Sequence, residues 1–241
     1  MKKRYLALGL LALVSISCAA CHTRVNVGAG RHKAGNKVVK TLSTKEFSSI
    51  KADLDLADLE IKTGKEFKVS YEGHQHFTPT ATVKNGQLTL SQPIHGSYHC
   101  SGTERVTIVV PEKLKRVDIR TEEGDINVEK LATIAGEIHS SDGDVTLRQV
   151  TTEKELKIAT DEGDVNLHGL SLQNGLSVYA DEGDVNISGT AASGYDLATD
   201  EGDLTVHGRD VSGDDASHYL KDTKSKNVIK VSADEGDITI K

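Results

Sequence analysis

The chain has 241 residues, of which 27% are charged and 4% aromatic, and its net charge is −7 with no tryptophan. Its first forty residues hold eight basic side chains and no acidic one, so the remainder carries −15. A body that acidic argues against a nucleic-acid partner, and the scarcity of aromatic rings leaves few platforms on which a sugar could stack.

Residues 1–17 form a positive start (Lys2, Lys3, Arg4) and an apolar run that ends near Ile16. The run is short for a membrane span and has the layout of an export signal. Cys18 follows Val14-Ser15-Ile16-Ser17, a small-residue approach that suits bacterial lipoprotein processing, although Ser15 stands where leucine is usual. Cys21, after Ala19-Ala20, is the competing acceptor, and plain cleavage near Ala20 would instead release a secreted protein. The expectation is an exported protein of the cell envelope, attached to the membrane by a lipid on Cys18 or on Cys21, or else secreted. At the end of a signal, Cys18-x-x-Cys21 is a poor redox or zinc pair. With Cys18 lipidated, Cys21 and Cys100 could supply one disulfide, which an exported location permits. Residues 18–45 read as a flexible tether with Arg24, Arg31, Lys33, Lys37 and Lys40 among Gly28, Gly30 and Gly35. No later segment is apolar enough to cross a bilayer.

From residue 46 to 111 the pattern is β-rich. Predicted strands run over 50–54, 59–62, 67–71, 80–83, 88–90 and 106–110, and Lys84-Asn85-Gly86-Gln87 is a strong hairpin signal. This part lacks the repeat found later in the chain and reads as an irregular cap together with the first coils.

From residue 112 onward one phrase recurs: TEEGDINV around Gly124, SSDGDVTL around Gly143, TDEGDVNL around Gly163, ADEGDVNI around Gly183, TDEGDLTV around Gly202 and ADEGDITI around Gly236. The Gly-to-Gly steps are 19, 20, 20, 19 and 34 residues, a period that places the chain among solenoids. Each copy ends in alternation such as Val165-Asn166-Leu167, the signature of a half-buried strand with aliphatics inward. Gly-Asp before it marks a tight turn, and a second strand precedes the turn, as at Leu156/Ile158 and Leu176/Val178. One such coil buries too few aliphatics to offset the ordering of about 20 residues at ~1–2 kcal/mol each. The coils must therefore stack, each pairing its backbone with the next at about 4.8 Å. The fold class predicted is all-β, a single-chain parallel β-solenoid with an irregular N-terminal β cap. Residues 209–227 read as a loop inserted before a last coil, and no separate C-terminal cap is visible.

The IKADLDLADLEIKTG opening, the NGQLTL hairpin, the TIVVPEKLKRVDIRTEEGDI passage and the repeated Gly-Asp coils together resemble the bacterial putative-adhesin family of exported β-solenoid domains of unknown function. The resemblance covers residues 47–241. It implies a surface or envelope ligand and brings no catalytic residue with it.

Stacking would align Asp125, Asp144, Asp164, Asp184, Asp203 and Asp237 in one column. Glu123, Asp142, Glu162, Glu182, Glu201 and Glu235 would form a second. Like charges about 4.8 Å apart repel by about 1 kcal/mol in water. Relief could come from a divalent cation, for which calcium suits carboxylate oxygens, with Asp144, Asp164, Asp184, Asp203, Glu162, Glu182 and Glu201 as candidate ligands. The plainer alternative is that each Asp caps its own turn and each Glu is solvated. An enzyme would need carboxyls in different environments, and near-identical turns predict similar ones; Gly175-Leu176-Ser177 has Tyr179 where a nucleophile elbow needs its second glycine. The protein therefore reads as a non-enzyme. His168 and His207 share a coil position two coil steps apart, too far for one ion. His74 and His76 on one strand face, with His95, His99 and Cys100 in the following loop, could form a zinc-like group, though scattered surface histidines explain them as well. The outward Asn/Thr column is either a flat binding face or a set of amide and hydroxyl ladders. The working expectation is an adhesion-like binding scaffold, with a calcium-binding acidic edge as the alternative and a glycan-processing enzyme a distant third.

Overall fold

A computed structural model describes residues 32–33, 35–95, 98–99, 103–111, 113–213 and 217–241. The export signal, Cys18, Cys21, Cys100 and most of the tether lie outside the described residues. Two long, mainly parallel sheets face each other, and each coil contributes one strand to each. Among the described residues the only helical element is a 3₁₀ turn at Gln75–Phe77, and no helix is long and apolar enough to cross a membrane.

Numbered by position in the stack, coil I consists of Gln87–Gln92 and Arg105–Val110, and coil II of Ser49–Leu54 and Asp58–Thr63. Coil III is Leu114–Glu123 with Ile126–Glu129, and coil IV is Ala132–Asp142 with Val145–Arg148. Coil V joins Leu156–Glu162 to Val165–His168, and coil VI joins Leu176–Glu182 to Val185–Ser188. Coil VII is Val228–Glu235 with Ile238–Ile240, and coil VIII is Gly194–Glu201 with Leu204–Val206.

This order departs from chain order at both ends. Coil VIII follows coil VI in the chain, yet coil VII lies between them: Val185 pairs with Ile238, and Ile238 with Leu204. Coil II likewise sits between coil I and coil III. The simple sequential stack implied by the repeat therefore needs correcting. The last coil of the chain is an insertion, because the 207–227 segment is long enough to carry the chain past coil VIII and back.

That segment also supplies the C-terminal cap the sequence does not reveal. Ser217–Lys221 runs antiparallel to the first strand of coil VIII, and Arg209–Asp210 antiparallel to its second. At the other end Lys68–His74 and Thr80–Lys84 run antiparallel to the two strands of coil I, and Lys37–Ser43 lies outside the former. Asn85 (φ 52°) and Gly86 (φ 74°) both adopt the left-handed conformation required by a two-residue hairpin turn.

The interior is aliphatic. In coil V, Leu156, Ile158, Val165 and Leu167 are all buried, and alternation carries the same pattern through every coil. Where the first strand nears its turn the inward residue is small in coils III to VIII (Thr121, Ser140, Thr160, Ala180, Ala233 and Thr199), whereas coils II and I place Leu54 and Gln92 there. The hydroxyls bond locally, as Thr121 to Ser140 at 3.1 Å and Thr199 to the Gly236 carbonyl at 2.9 Å.

Candidate functional site: the acidic edge and the amide face

The turn between the two strands of each coil defines one edge of the stack. Its glycine is fixed by two requirements. Gly183 has φ 126°, and a Cβ there would lie 2.4 Å from the carbonyl oxygen of Gly163 in the coil below. A side chain would thus meet both backbone strain and a backbone clash, so the turns stack only as glycine.

The aspartate that follows does not cap its own turn. Its Oδ1 accepts the backbone N–H of the corresponding aspartate one coil further on. Asp144 N–H donates to Asp125 at 3.0 Å, Asp164 N–H to Asp144 at 2.9 Å and Asp184 N–H to Asp164 at 2.9 Å. The ladder then passes through the inserted coil: Asp237 N–H donates to Asp184 at 2.9 Å and Asp203 N–H to Asp237 at 2.7 Å. At its start Asp125 N–H donates to Asp58 at 3.3 Å. Burial pushes the Asp58 carboxyl up, as does the nearby Asp125 charge, while the Asp125 N–H and Arg105 pull it down. In coil II the turn is instead held by buried Gln92, whose Oε1 accepts the N–H groups of Leu56 and Ala57 and whose amide donates to the Phe77 carbonyl.

Asp144, Asp164, Asp184 and Asp203 thus stand in one column, and Glu162, Glu182 and Glu201 in another, where Glu162 pairs with Glu182, Glu182 with Glu235, and Glu235 with Glu201. The columns run parallel, with one oxygen of each ladder acceptor already committed to a peptide. Among the described residues no three His, Cys, Asp or Glu side chains come together as a metal-holding group. Beside the edge, Tyr179 is partly exposed and donates to Asp234 at 3.1 Å. Burial, then that hydrogen bond and the charges of Asp234, Asp181 and Asp161, push its hydroxyl up to about 12.

Next to the Asp column on the second sheet lies the outward row Asn127, Thr146, Asn166, Asn186, Thr239 and Thr205, in register coil by coil. Ladder stabilisation would require these amides to bond to one another. Among the described residues Asn127, Asn166 and Asn186 have no side-chain hydrogen bond. A shallow hollow lined by Asp58, Arg105, Asp125, Asn127 and Arg148 opens at the coil II–III end of this face.

Among the described side chains the histidines do not converge, and those of His99 and Cys100 lie outside them. His168 is separated from His207 by three coil steps rather than two, because Ser188 and then Lys241 intervene. His168 Nδ1 pairs with Ser188 Oγ at 2.8 Å, and His207 Nε2 with the Tyr195 hydroxyl at 3.3 Å. His74 and His76 do not share a strand face, since the strand ends at His74 and the 3₁₀ turn begins. His74 turns inward instead. Its Nδ1 lies 2.5 Å from Glu104 Oε1, and Glu104 Oε2 accepts the His74 N–H and the Tyr71 hydroxyl. This buried cluster ties the antiparallel cap strand to the start of the second strand of coil I. Sequence reasoning misses it, because a lone Glu104 before a strand carries no signal.

The geometry defines a parallel β-solenoid with an acidic stacked-turn edge and a flat polar face. Residues 47–217 match the Toastrack DUF4097 family, which is more than half of the chain; the protein belongs to that family. Its fold is shared by a putative cell adhesion protein of Clostridium sporogenes, at 19% identity over 85% of this chain and 98% of that one, with a TM-score of 0.52. It is also shared by a putative adhesin of Bacteroides fragilis, at 15% identity over 87% and 100%, again with a TM-score of 0.52. None of the curated proteins matches.

Proposed function

We propose that this protein is a non-catalytic binding scaffold of the cell envelope, adhesion-like in mode, whose working surface is the Asn/Thr row on the second sheet. The observation that carries this reading is that Asn127, Asn166 and Asn186 stand in register on a flat face and make no hydrogen bond among the described residues. Each amide therefore offers a free donor and a free acceptor, repeated every coil or two. Such a face suits an extended polyhydroxylated polymer that meets several coils at once and gains through many weak contacts. The names carried by the solved relatives point the same way, though they belong to those proteins.

The test is binding to immobilised cell-wall polysaccharides and host-type glycans, comparing the parent with an Asn127→Ala/Asn166→Ala/Asn186→Ala variant. The reading expects at least a tenfold loss of affinity for the bound polymer with the unfolding midpoint held. Undiminished binding by the triple variant, or binding by none of the polymers, would sink it.

A further inference from the structure

Coil VII is an inserted element with unusual connections. The Gly183-to-Gly202 step is 19 residues, no longer than the steps of 19 and 20 between coils stacked directly on each other. It nevertheless bridges two coil separations, about 10 Å. By contrast, the cap strands Arg209–Asp210 and Ser217–Lys221 are bonded to coil VIII, and residues 222–227, which run on from them to coil VII, reach on the order of 20 Å when extended. The place coil VII fills cannot stand empty. Ile229, Val231, Ala233, Ile238 and Ile240 are all at most 3% exposed, and withdrawal would bare them together with the facing edges of coils VI and VIII. The contacts it makes are generic to the repeat: Glu182–Glu235–Glu201 in one sheet, Asn186–Thr239–Thr205 in the other, and the Asp184–Asp237–Asp203 ladder between them. It also lies beyond residue 217, where the family match ends.

We propose that coil VII is exchangeable between molecules: the place between coils VI and VIII accepts residues 228–241 of a second copy of this chain, giving a reciprocally exchanged pair. Every contact that coil VII makes in the closed chain is reproduced in the pair, so the two forms differ mainly in connector path and association entropy. The six residues 222–227 span that path where the two copies lie side by side with their places for coil VII facing each other.

Asn186 and Thr239 are paired neighbours on the outward face, at a separation of about 4.8 Å that a disulfide can bridge. The experiment uses the full chain with Cys18, Cys21 and Cys100 replaced by serine. Asn186→Cys and Thr239→Cys are placed in separate, differently tagged copies that are co-expressed and mildly oxidised. The double variant in one chain serves as the register control, and Thr239→Cys with Ser91→Cys in separate copies as the collision control. The expected result is a disulfide joining the two tags, increasing with protein concentration and absent from the collision control. Closure only within the double variant, equal yield in the collision control, or no closure in the double variant would each overturn the proposal.

Discussion

At the level of single residues, the acidic turn divides its work between two neighbours. Glycine lets one backbone approach the next, and the aspartate carboxylate receives an N–H from the coil above. Charge is not needed for the second task. Asp164→Asn retains an acceptor for the Asp184 N–H and removes one like-charge neighbour on each side, each costing about 1 kcal/mol in water. It should match or exceed the parent in urea unfolding at low salt and show a weaker salt dependence. Asp164→Ala removes the acceptor and should lose roughly 0.5–1.5 kcal/mol. If the amide variant is as damaged as the alanine variant, the ladder depends on ionised carboxylates. Tyr179 gives a pH signature. Its hydroxyl is raised to about 12 in the folded chain, against about 10 when unfolded. The folded state thus keeps a proton that the unfolded chain loses, so this contribution is complete below about pH 10 and is lost as pH rises towards 12. Difference absorbance against Tyr179→Phe should show the late tyrosine titration, and Asp234→Asn should move it down; a midpoint near 10 in the parent would refute the assignment.

Whole elements show what repetition does to a carboxylate. Along the column each ladder Asp uses one oxygen on a peptide and meets its neighbours at the fixed coil spacing, so the oxygens align instead of converging on a centre. Calcium needs six to eight oxygens around one point. Divalent cations should therefore act by screening alone, with calcium and magnesium raising the unfolding midpoint equally at matched concentration. A calcium-selective rise that Asp164→Asn/Asp184→Asn removes would place a metal on the edge. The strands and both acidic columns are legible in the sequence because period-two alternation and a 19- or 20-residue step leave few alternatives. Other features are not. The exchange of coils VII and VIII in the stack is silent because ADEGDVNI, TDEGDLTV and ADEGDITI are nearly the same phrase, so each pairs with any other. The capping strands inside 207–227 are short, polar and antiparallel, and read as loop. The direction of the Asp bond, to the next turn rather than its own, is a matter of stacking geometry that composition does not carry.

Across the molecule the two ends are built alike. Coil II lies between coils I and III, coil VII between coils VI and VIII, and antiparallel strands close both outer coils. Open parallel edges, which invite pairing with other chains, are thereby replaced by short or lysine-bearing ones such as Lys37–Ser43 and Ser217–Lys221. The buried position of coil VII also governs how the molecule bears load. A pull on Lys241 acts on strands bonded along both sides, in both sheets, so the ladders must shear together instead of unzipping bond by bond. A molecule gripped there would hold its shape under tension that would peel away an outermost strand.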